Sequence, residues 1–387
     1  MNFSKDRYTY NFPCPIRFGA GVIDEIAPHL KALGLKRPFI VTDPGLVNLP
    51  FLQEILQQLS SSSLAPKVFS QIAKNPVKAN VLAGAQEFKK IAADCIIGLG
   101  GGASMDVARA IALAIHHHRD LFDYDDALGG DRFITAEIPY FITVPTTSGT
   151  GSEVGRSSVI SEDLGHQKRI LFSPRLMARQ VFADPALTLK LPAAITAAVG
   201  MDALTHNIEA YFSKGFSPLC DGIALEGIRL THEALLAATY HPNIENRSKM
   251  MMAALMGATA FQKGLGVVHS TAHPLSTIYD THHGLANAVM LPYGVRFNAD
   301  TVAEQIKRIC KVLDLQELSS NAFIDYLIDL NTKLKMPASL QEMQLDEQSI
   351  DRLAALALKD GCHLNNPKAV ALADFKLIYQ KAFRGEI

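Results

Sequence analysis

Histidines are concentrated in one short stretch of the chain. The segment GLGVVHSTAHPLSTIYDTHHG, residues 264–284, holds four of the thirteen histidines. Side chains four residues apart lie on one face of an α-helix, so His269 and His273 are predicted to share a helical face. The proline that follows is predicted to kink or end that turn. His282 and His283 come next, on a Gly-flanked loop. Neutral imidazoles that converge from separate elements bind divalent metal ions, so this stretch predicts a metal site.

A second set of donors lies upstream, in the segment GMDALTHNIEAY. Asp202 and His206 are again four residues apart, so one helix offers a carboxylate and an imidazole on the same face. Combined with the later histidines they predict a four-ligand site with hard and borderline donors and no thiolate. Pairs of this kind also arise by chance in helices, but two pairs and a Gly-flanked histidine pair together favour a metal site.

An anion site is predicted in the first half of the chain. The segment DCIIGLGGGASMDVARAIALAI contains an apolar run, three glycines at 100–102, and then a helical pattern. Glycines let the backbone approach a phosphate closely, and the helix N-terminus supplies free N–H groups and a positive dipole end. A tight strand-to-helix turn would need only one glycine, so three in a row favour a phosphate site. Their spacing differs from the GxGxxG fingerprint of dinucleotide-binding proteins. The hydroxyl-rich segment VPTTSGTGSEV, residues 144–154, ends another predicted strand and suits ribose, adenine or phosphate.

The elements that carry these segments differ between the two parts of the chain. Strand and helix patterns alternate up to about Asp184, whereas Ala-, Leu- and Met-rich helical periods follow it. The pattern predicts an α/β N-terminal dinucleotide-binding domain, Rossmann-like with a parallel sheet, over residues 1–184. It also predicts an all-α C-terminal metal-binding domain over residues 185–387.

Composition excludes several classes of protein. The 387 residues are 48% hydrophobic and 19% charged, with a formal net charge of -1, which is typical of a globular protein and gives no basic footprint for nucleic acid or a membrane surface. The five cysteines show no CxxC pairing, which argues against a disulfide framework or a thiolate zinc site. No secretory or membrane-spanning segment is recognised, so a cytoplasmic protein is expected.

Taken together, these segments resemble the iron-containing, or group III, alcohol dehydrogenase family over nearly the whole chain. The resemblance rests on the order and spacing of IRFGAG, TDPG, GLGGGASMD, VPTTSGTGSEV, GMDALTHNIEAY, the histidine-rich stretch and NNPK near the end. It implies the two-domain architecture also found in dehydroquinate synthase. It further implies a homodimer or larger homo-oligomer.

The resemblance implies a role for each histidine and acid singled out above. Four residues would bind one divalent ion, normally Fe(II) and sometimes zinc: Asp202, His206, His269 and His283. His273 would then not be a ligand, and the family places the equivalent histidine near the nicotinamide, where it could relay a proton or contact the substrate. His282 is left out because the family ligand immediately precedes a glycine.

For NAD, the resemblance implies contacts to the pyrophosphate, the adenosine and further groups. The residues are Gly101 and Gly102 for the pyrophosphate, Thr146, Thr147 and Leu187 around the adenosine, and Asn75 and Lys168 as further contacts. Asp43 follows a predicted strand, where a carboxylate accepts hydrogen bonds from ribose hydroxyls and repels a 2′-phosphate, so NAD is expected over NADP. Two departures concern Ala103, where the family has serine, and Ser157, where some relatives have asparagine.

The implied activity is metal-dependent hydride transfer between NAD and a primary or secondary alcohol or diol, with aldehydes or ketones reduced in reverse. The metal would act as a Lewis acid, and His273 or a water chain would move the proton. Besides further copies of the chain, the expected partner is a small-molecule alcohol or aldehyde, and neither nucleic acid nor a membrane is expected. Three alternatives are a dehydroquinate synthase-like lyase, which would keep Glu in place of Asp202, a metal-free maleylacetate-type reductase, and a non-catalytic NAD or metal sensor.

Overall fold

The computed structural model describes Tyr10 and residues 12–73, 75–164 and 168–387. The chain forms two compact units, one of residues 13–190 and one of residues 191–387 that also takes in Tyr10 and Phe12. The division falls after Lys190 rather than at Asp184. The reason is that the 3-10 helix Pro185–Thr188 follows directly on the last strand, and Leu187 within it packs against the core of the first unit.

A six-stranded sheet forms the centre of the first unit, and every pairing within it is parallel. Its order is β1-β8-β5-β4-β2-β3, and the remaining two strands pair as a separate antiparallel ribbon. The predicted parallel sheet is confirmed. The strands are β1 (Ile16–Phe18), β2 (Pro38–Val41), β3 (Lys67–Phe69), β4 (Cys95–Gly100), β5 (Tyr140–Pro145), β6 (Ser157–Ser161), β7 (Lys168–Phe172) and β8 (Gln180–Ala183).

Helices cover both faces of this sheet. Successive residues of a strand point to opposite faces, and accordingly Ile96 and Ile97 of β4 belong to two different apolar clusters. This explains why the strands are continuous apolar runs rather than alternating ones. The helices are α1 (Ile26–Ala32), α2 (Pro50–Ser61), α3 (Lys78–Lys90) and α4 (Gly102–His116), with short 3-10 helices between elements.

The second unit is helical, and no strand occurs among the residues described for it. Its first helix is buried on all sides, since every residue from Thr196 to Phe212 is buried. Such a helix must satisfy its polar side chains internally. The helices are α5 (Ala193–Phe212), α6 (Pro218–Tyr240), α7 (Ile244–Ala260), α8 (Val267–Tyr279), α9 (His283–Asn298), α10 (Ala303–Val312), α11 (Ser320–Lys333), α12 (Ile350–Lys359) and α13 (Leu372–Arg384).

Two local predictions for the histidine-rich stretch differ from the structure. Helix α8 continues through Pro274 to Tyr279, because buried residues on both sides of the proline hold the helix by packing. His283 does not lie on a loop: it is the first residue of α9, with His282 as the N-cap. In the described part of the chain no single helix has the length and apolar character to span a membrane, although the bent pair Ile244–Lys263 and Val267–Tyr279 meets that test.

Candidate metal centre and dinucleotide site

Three helices of the second unit bring four donor side chains together. Asp202 and His206 lie on α5, His269 on α8, and His283 at the start of α9. One ligand atom from each lies within 4.8 Å of every other. Oδ1 of Asp202 is 3.4 Å from Nε2 of His283 and 4.0 Å from Nε2 of His269. The four residues that the family resemblance singles out are therefore neighbours in space.

The donor set fits a divalent ion. One carboxylate and three imidazoles are ligands that suit iron(II) and zinc, and four such groups match the size of a first coordination sphere. Asp202 is 1% exposed and would be a costly isolated charge at that depth. The side chain of His283 is 28% exposed, so the cluster is accessible from the side of α9.

Glu209 fixes the orientation of His269. It lies on α5, and its Oε2 accepts a hydrogen bond from Nδ1 of His269 at 2.6 Å. The same carboxylate accepts the backbone N–H groups of Val268 and His269, in the first turn of α8. Burial alone would lower the pKa of His269, but Glu209 raises it above its ordinary value. Because Nδ1 carries the proton, Nε2 keeps its lone pair for an ion.

Asn287 lies against the same cluster, one turn after His283 on α9. Its Nδ2 donates to Oδ1 of Asp202 at 2.7 Å and lies 3.2 Å from Nε2 of His269 and 3.1 Å from Nε2 of His283. Its Oδ1 is buried and has no hydrogen-bond partner among the described residues. An amide that contacts three of the four donors orients the carboxylate and borders the space between them.

His273 lies beside the four donors. Its ring stacks on that of His283 with centroids 5.3 Å apart and meets the ring of His269 edge-on at 5.8 Å. Its Nδ1 is hydrogen-bonded to Asp360. The predicted sharing of a helical face by His269 and His273 thus places His273 at the border of the donor cluster.

Residues proposed for NAD follow the carboxyl ends of neighbouring parallel strands. Asp43 follows β2, Gly101 follows β4, and Thr146 follows β5. The chain passes from β2 outward to β3 and then returns to the other side of β2 with β4. The direction in which successive strands are added to the sheet therefore reverses between β2 and β4. Ligands of open α/β sheets bind at such a switch point, and Asp43 and Gly101 flank it.

The three glycines at the end of β4 and in the turn that follows are each favoured by a different structural constraint. Gly100 has a φ of +144°, in a region that other residues rarely adopt. A Cβ on Gly102 would come within 3.0 Å of Cγ2 of Thr150, and one on Gly101 would come within 3.5 Å of Oγ1 of Thr147. The hydroxyl-rich loop therefore packs directly on the N-terminus of α4, where Ala103 leaves the backbone N–H groups unchanged.

Ser161 links the segment that follows Asn75 to the strand that begins at Lys168. Lys168 pairs with Ser161 across the ribbon of β6 and β7, and Val77 forms an isolated parallel bridge with the same residue. The backbone N–H of Ser161 donates to Pro76, next to Asn75. Leu187 is separate from them, on the 3-10 helix after β8.

A buried ion pair that the sequence did not reveal supports this loop. Arg109 and Asp106 lie one turn apart on α4, and Arg109 is fully buried. Arg109 donates to the backbone oxygens of Ser152 and Ser157, while Asp106 accepts from the Ser152 hydroxyl at 2.7 Å. The i, i+3 spacing was the only local signal of this pair. Glu209 likewise follows His206 by three residues, whereas Asp360 has no nearby sequence signal.

Two family models match the chain and together cover most of its length. The model described as "Iron-containing alcohol dehydrogenase" matches residues 13–185. The model described as "Fe-containing alcohol dehydrogenase family, C-terminal" matches residues 196–383.

Individual relatives agree with these matches. The chain is 36% identical over 376 residues to a 4-hydroxybutyrate dehydrogenase of Cupriavidus necator, covering 95% of this chain and 97% of the relative. The crystal structure of a 1,3-propanediol oxidoreductase superposes with a TM-score of 0.93 at 32% identity, covering 98% of this chain and 100% of the other. A sulfoacetaldehyde reductase from Bifidobacterium kashiwanohense, solved in complex with NAD+, gives a TM-score of 0.89 at 29% identity, with 97% and 99% coverage.

Proposed function

The chain belongs to the iron-containing alcohol dehydrogenase family, and from that premise we propose which of its residues perform the family's reaction and on what substrate. The protein is an NAD-dependent oxidoreductase that interconverts an alcohol with an aldehyde or ketone. Its cofactors are NAD and a divalent iron ion. The lyase, the metal-free reductase and the sensor are not favoured, since both matching models are those of alcohol dehydrogenases.

We propose that Asp202, His206, His269 and His283 hold the metal. The observation that carries this assignment is the approach of their four ligand atoms to within 4.8 Å of one another in a buried cluster. When bound there, a divalent ion supplies Lewis-acid polarisation of the substrate oxygen. Because Nδ1 of His269 donates its hydrogen bond to Glu209, the lone pair on Nε2 is free to bind the ion. Asn287 donates a hydrogen bond to the carboxylate of Asp202 and so orients it.

NAD is proposed to bind at the carboxyl edge of the parallel sheet. The N-terminus of α4 offers N–H groups to the pyrophosphate through Gly101 and Gly102, and Thr146, Thr147 and Leu187 surround the adenosine. Asn75 and Lys168 add further contacts. Asp43 accepts the N–H of Gly45 at 3.0 Å, so its carboxylate is fixed at the end of β2, where ribose hydroxyls would donate to it.

His273 is proposed to move the proton. Oxidation of an alcohol releases one hydride, which NAD+ accepts, and one proton, which a neighbouring base must accept. His273 adjoins the donor cluster through its contacts with His269 and His283, and its side chain is 26% exposed, so the proton can pass on to water.

We propose a short-chain primary alcohol with a second polar group at its far end as the substrate. The support is the shared chemistry of relatives that are named for 4-hydroxybutyrate and 1,3-propanediol, both of which carry a terminal hydroxymethyl group on a short chain. We further propose a cytoplasmic homodimer or larger homo-oligomer. Its five unpaired cysteines suit a reducing compartment, and light scattering of the purified chain tests the assembly.

The experiment is NADH oxidation by anaerobically purified, iron-loaded protein with a panel of short aldehydes. The panel should include succinic semialdehyde, 3-hydroxypropanal, propanal and butanal, with NADPH as the alternative cofactor. We expect kcat/KM to be highest for the aldehydes with a distal polar group. Equal or better turnover of propanal and butanal would contradict the substrate proposal, and no turnover of any carbonyl would contradict the activity.

A further inference from the structure

Asp360 forms a direct hydrogen bond with the histidine that is proposed to move the proton. It follows the last residue of α12, 87 positions beyond His273 in sequence, and its Oδ2 lies 2.7 Å from Nδ1 of His273. A carboxylate oxygen can only accept, so Nδ1 is the donor and carries the proton. No local sequence pattern pairs His273 with this hydrogen-bond acceptor.

Asp360 is itself held in place by donors from two elements. The hydroxyl of Ser270, on α8, donates to Oδ1 at 2.7 Å, and the backbone N–H of Cys362 donates to the same oxygen at 2.9 Å. Ser270 in turn accepts the N–H of His363 at 2.8 Å, which ties α8 to the turn after Asp360. Both carboxylate oxygens therefore have fixed partners.

The carboxyl group stays ionised in this environment. Burial by itself would raise the pKa of Asp360, but the adjacent His273 ring and the hydrogen bonds from His273, Ser270 and Cys362 hold the pKa below its usual range. The side chain is 16% exposed, compared with 26% for His273. A largely buried anion thus lies behind a more exposed imidazole.

A second metal site is the competing interpretation of these residues. Ligand atoms of His273, Asp360 and Cys362 lie within 4.8 Å of one another. However, both oxygens of Asp360 already accept hydrogen bonds, one from Nδ1 of His273 and the other from the Ser270 hydroxyl and the N–H of Cys362. Burial also raises the pKa of the Cys362 thiol well above its usual value, so the thiol is protonated in the absence of a metal. The geometry favours a hydrogen-bonded pair.

We propose that Asp360 is a positioning residue that fixes the tautomer and the orientation of His273. The inference rests on the proton-transfer role proposed for His273 and extends it to a second side chain. With Nδ1–H directed at Asp360, Nε2 is the nitrogen that accepts the hydroxyl proton of the alcohol while the hydride goes to NAD+. The proton then leaves Nε2 for water, and aldehyde reduction runs the same transfers backward.

The tautomer is tested without turnover. Protein labelled with 15N-histidine and loaded with zinc(II), which is diamagnetic, reports the protonated nitrogen of each ring, and His273→Gln identifies the signals of His273. We expect Nδ1–H in the unchanged protein and a shift toward Nε2–H in Asp360→Asn, because the Asn amide can donate to Nδ1. Asp374→Asn is the control and should leave the spectrum unchanged. The carboxylate of Asp374 accepts a backbone hydrogen bond at the start of α13, far from α8 in sequence.

Kinetics test whether Asp360 acts through His273. Asp360→Asn in the iron-loaded enzyme should lower kcat roughly 10²-fold or more while the KM for NADH changes little, since a histidine in the wrong tautomer cannot accept the proton. In a His273→Ala background the same change should cause no further loss. Metal content measured alongside shows whether the donor cluster is intact.

Two results would overturn the proposal. An unchanged His273 spectrum in Asp360→Asn would show that the carboxylate does not set the tautomer. If Asp360→Asn lowered kcat by the same factor in the unchanged protein and in the His273→Ala background, Asp360 would act on a residue other than His273. Full turnover by His273→Ala would refute instead the proton-transfer role of His273, and the spectrum would still decide whether Asp360 orients it.

Discussion

Glu209 and His269 are joined by a 2.6 Å hydrogen bond between Oε2 and Nδ1, and both residues are almost completely buried. The same carboxylate accepts two backbone N–H groups at the start of α8. One side chain of α5 therefore fixes both the beginning of α8 and the orientation of its first histidine. The ligand geometry depends on a residue that would not itself touch the metal.

Glu209→Gln should weaken metal binding by about 10- to 100-fold, the range found when the partner of a metal-bound histidine is removed. The neutral amide is a poorer acceptor and can present its NH2 group to Nδ1, which would favour the wrong tautomer. Competition with a chelator, followed by metal analysis, measures the affinity. Glu226→Gln, at a half-exposed site on α6 paired with Arg229, is the control. Equal affinity in both variants would contradict this role.

Asp43→Asn should relax the preference for NAD over NADP. The amide can still accept the N–H of Gly45 but no longer repels a 2′-phosphate. A repulsion of about 1 kcal/mol at 4 Å in water corresponds to a gain of roughly fivefold in kcat/KM for NADPH relative to NADH. The control is Asp94→Asn. Asp94 lies just before β4, at the amino ends of the strands, and its replacement should not change the ratio. An unaltered ratio in Asp43→Asn would place the ribose elsewhere.

Gly102→Ala should weaken NAD binding while leaving metal content intact. The new methyl group would meet Thr150 at 3.0 Å and push the hydroxyl-rich loop from the N-terminus of α4. Binding titrations should show a Kd about fivefold higher or more, equivalent to about 1 kcal/mol. Gly222→Ala is a matched control.

A Cβ on Gly222 has no heavy atom within 4 Å, and the residue is exposed in the second turn of α6. This control should keep the Kd for NAD and raise the free energy of unfolding by about 0.5–1 kcal/mol, because alanine favours the helix. A Gly102→Ala protein that binds NAD normally would argue against a pyrophosphate at this turn.

Glu153→Gln should remove a pH-dependent loss of stability. Burial raises the pKa of Glu153 from its ordinary 4.5 to about 7, and the charge of Arg109 lowers it only in part. The folded protein thus binds this proton more tightly than the unfolded chain, so the free energy of unfolding falls as the pH rises between those two values and stays low above them. A shift of this size corresponds to roughly 3 kcal/mol.

Urea unfolding of the NAD-free protein near pH 5 and near pH 8 measures this effect. Glu153→Gln should raise the free energy of unfolding, relative to the unchanged protein, by much more near pH 8 than near pH 5. Glu54→Gln, at an exposed position on α2 of the same unit, should show the same difference at both. If Glu153→Gln behaved like that control, the buried carboxyl would not be the source of the pH dependence.

Much of the architecture could be predicted from the sequence because its signals are local. Continuous apolar runs followed by glycine indicated buried parallel strands such as β4, and the four-residue spacing of Asp202 and His206 indicated one helical face. Helix α8 does not end at Pro274, one of the two outcomes that the proline predicted, because packing on both sides outweighs the hydrogen bond that proline cannot make.

The supporting residues were harder to predict, for physical reasons. Asn287 follows His283 by one turn and Glu209 follows His206 by nearly one, yet only the packing of α5 against α8 and α9 gives these spacings meaning. Asp360 meets His273 across 87 residues, and no local pattern encodes that contact. Side-chain pairs between distant elements depend on the whole fold.

Metal-dependent turnover is tested most directly by titrating anaerobic, chelator-treated protein with iron(II) and measuring NADH oxidation by a short aldehyde at each step. We expect negligible turnover without metal and a linear rise that saturates at one ion per chain. An Asp202→Asn or His269→Gln variant should fail to reach saturation in the same range. Full turnover by the metal-free protein, with NADH and the same aldehyde, would contradict metal-dependent hydride transfer.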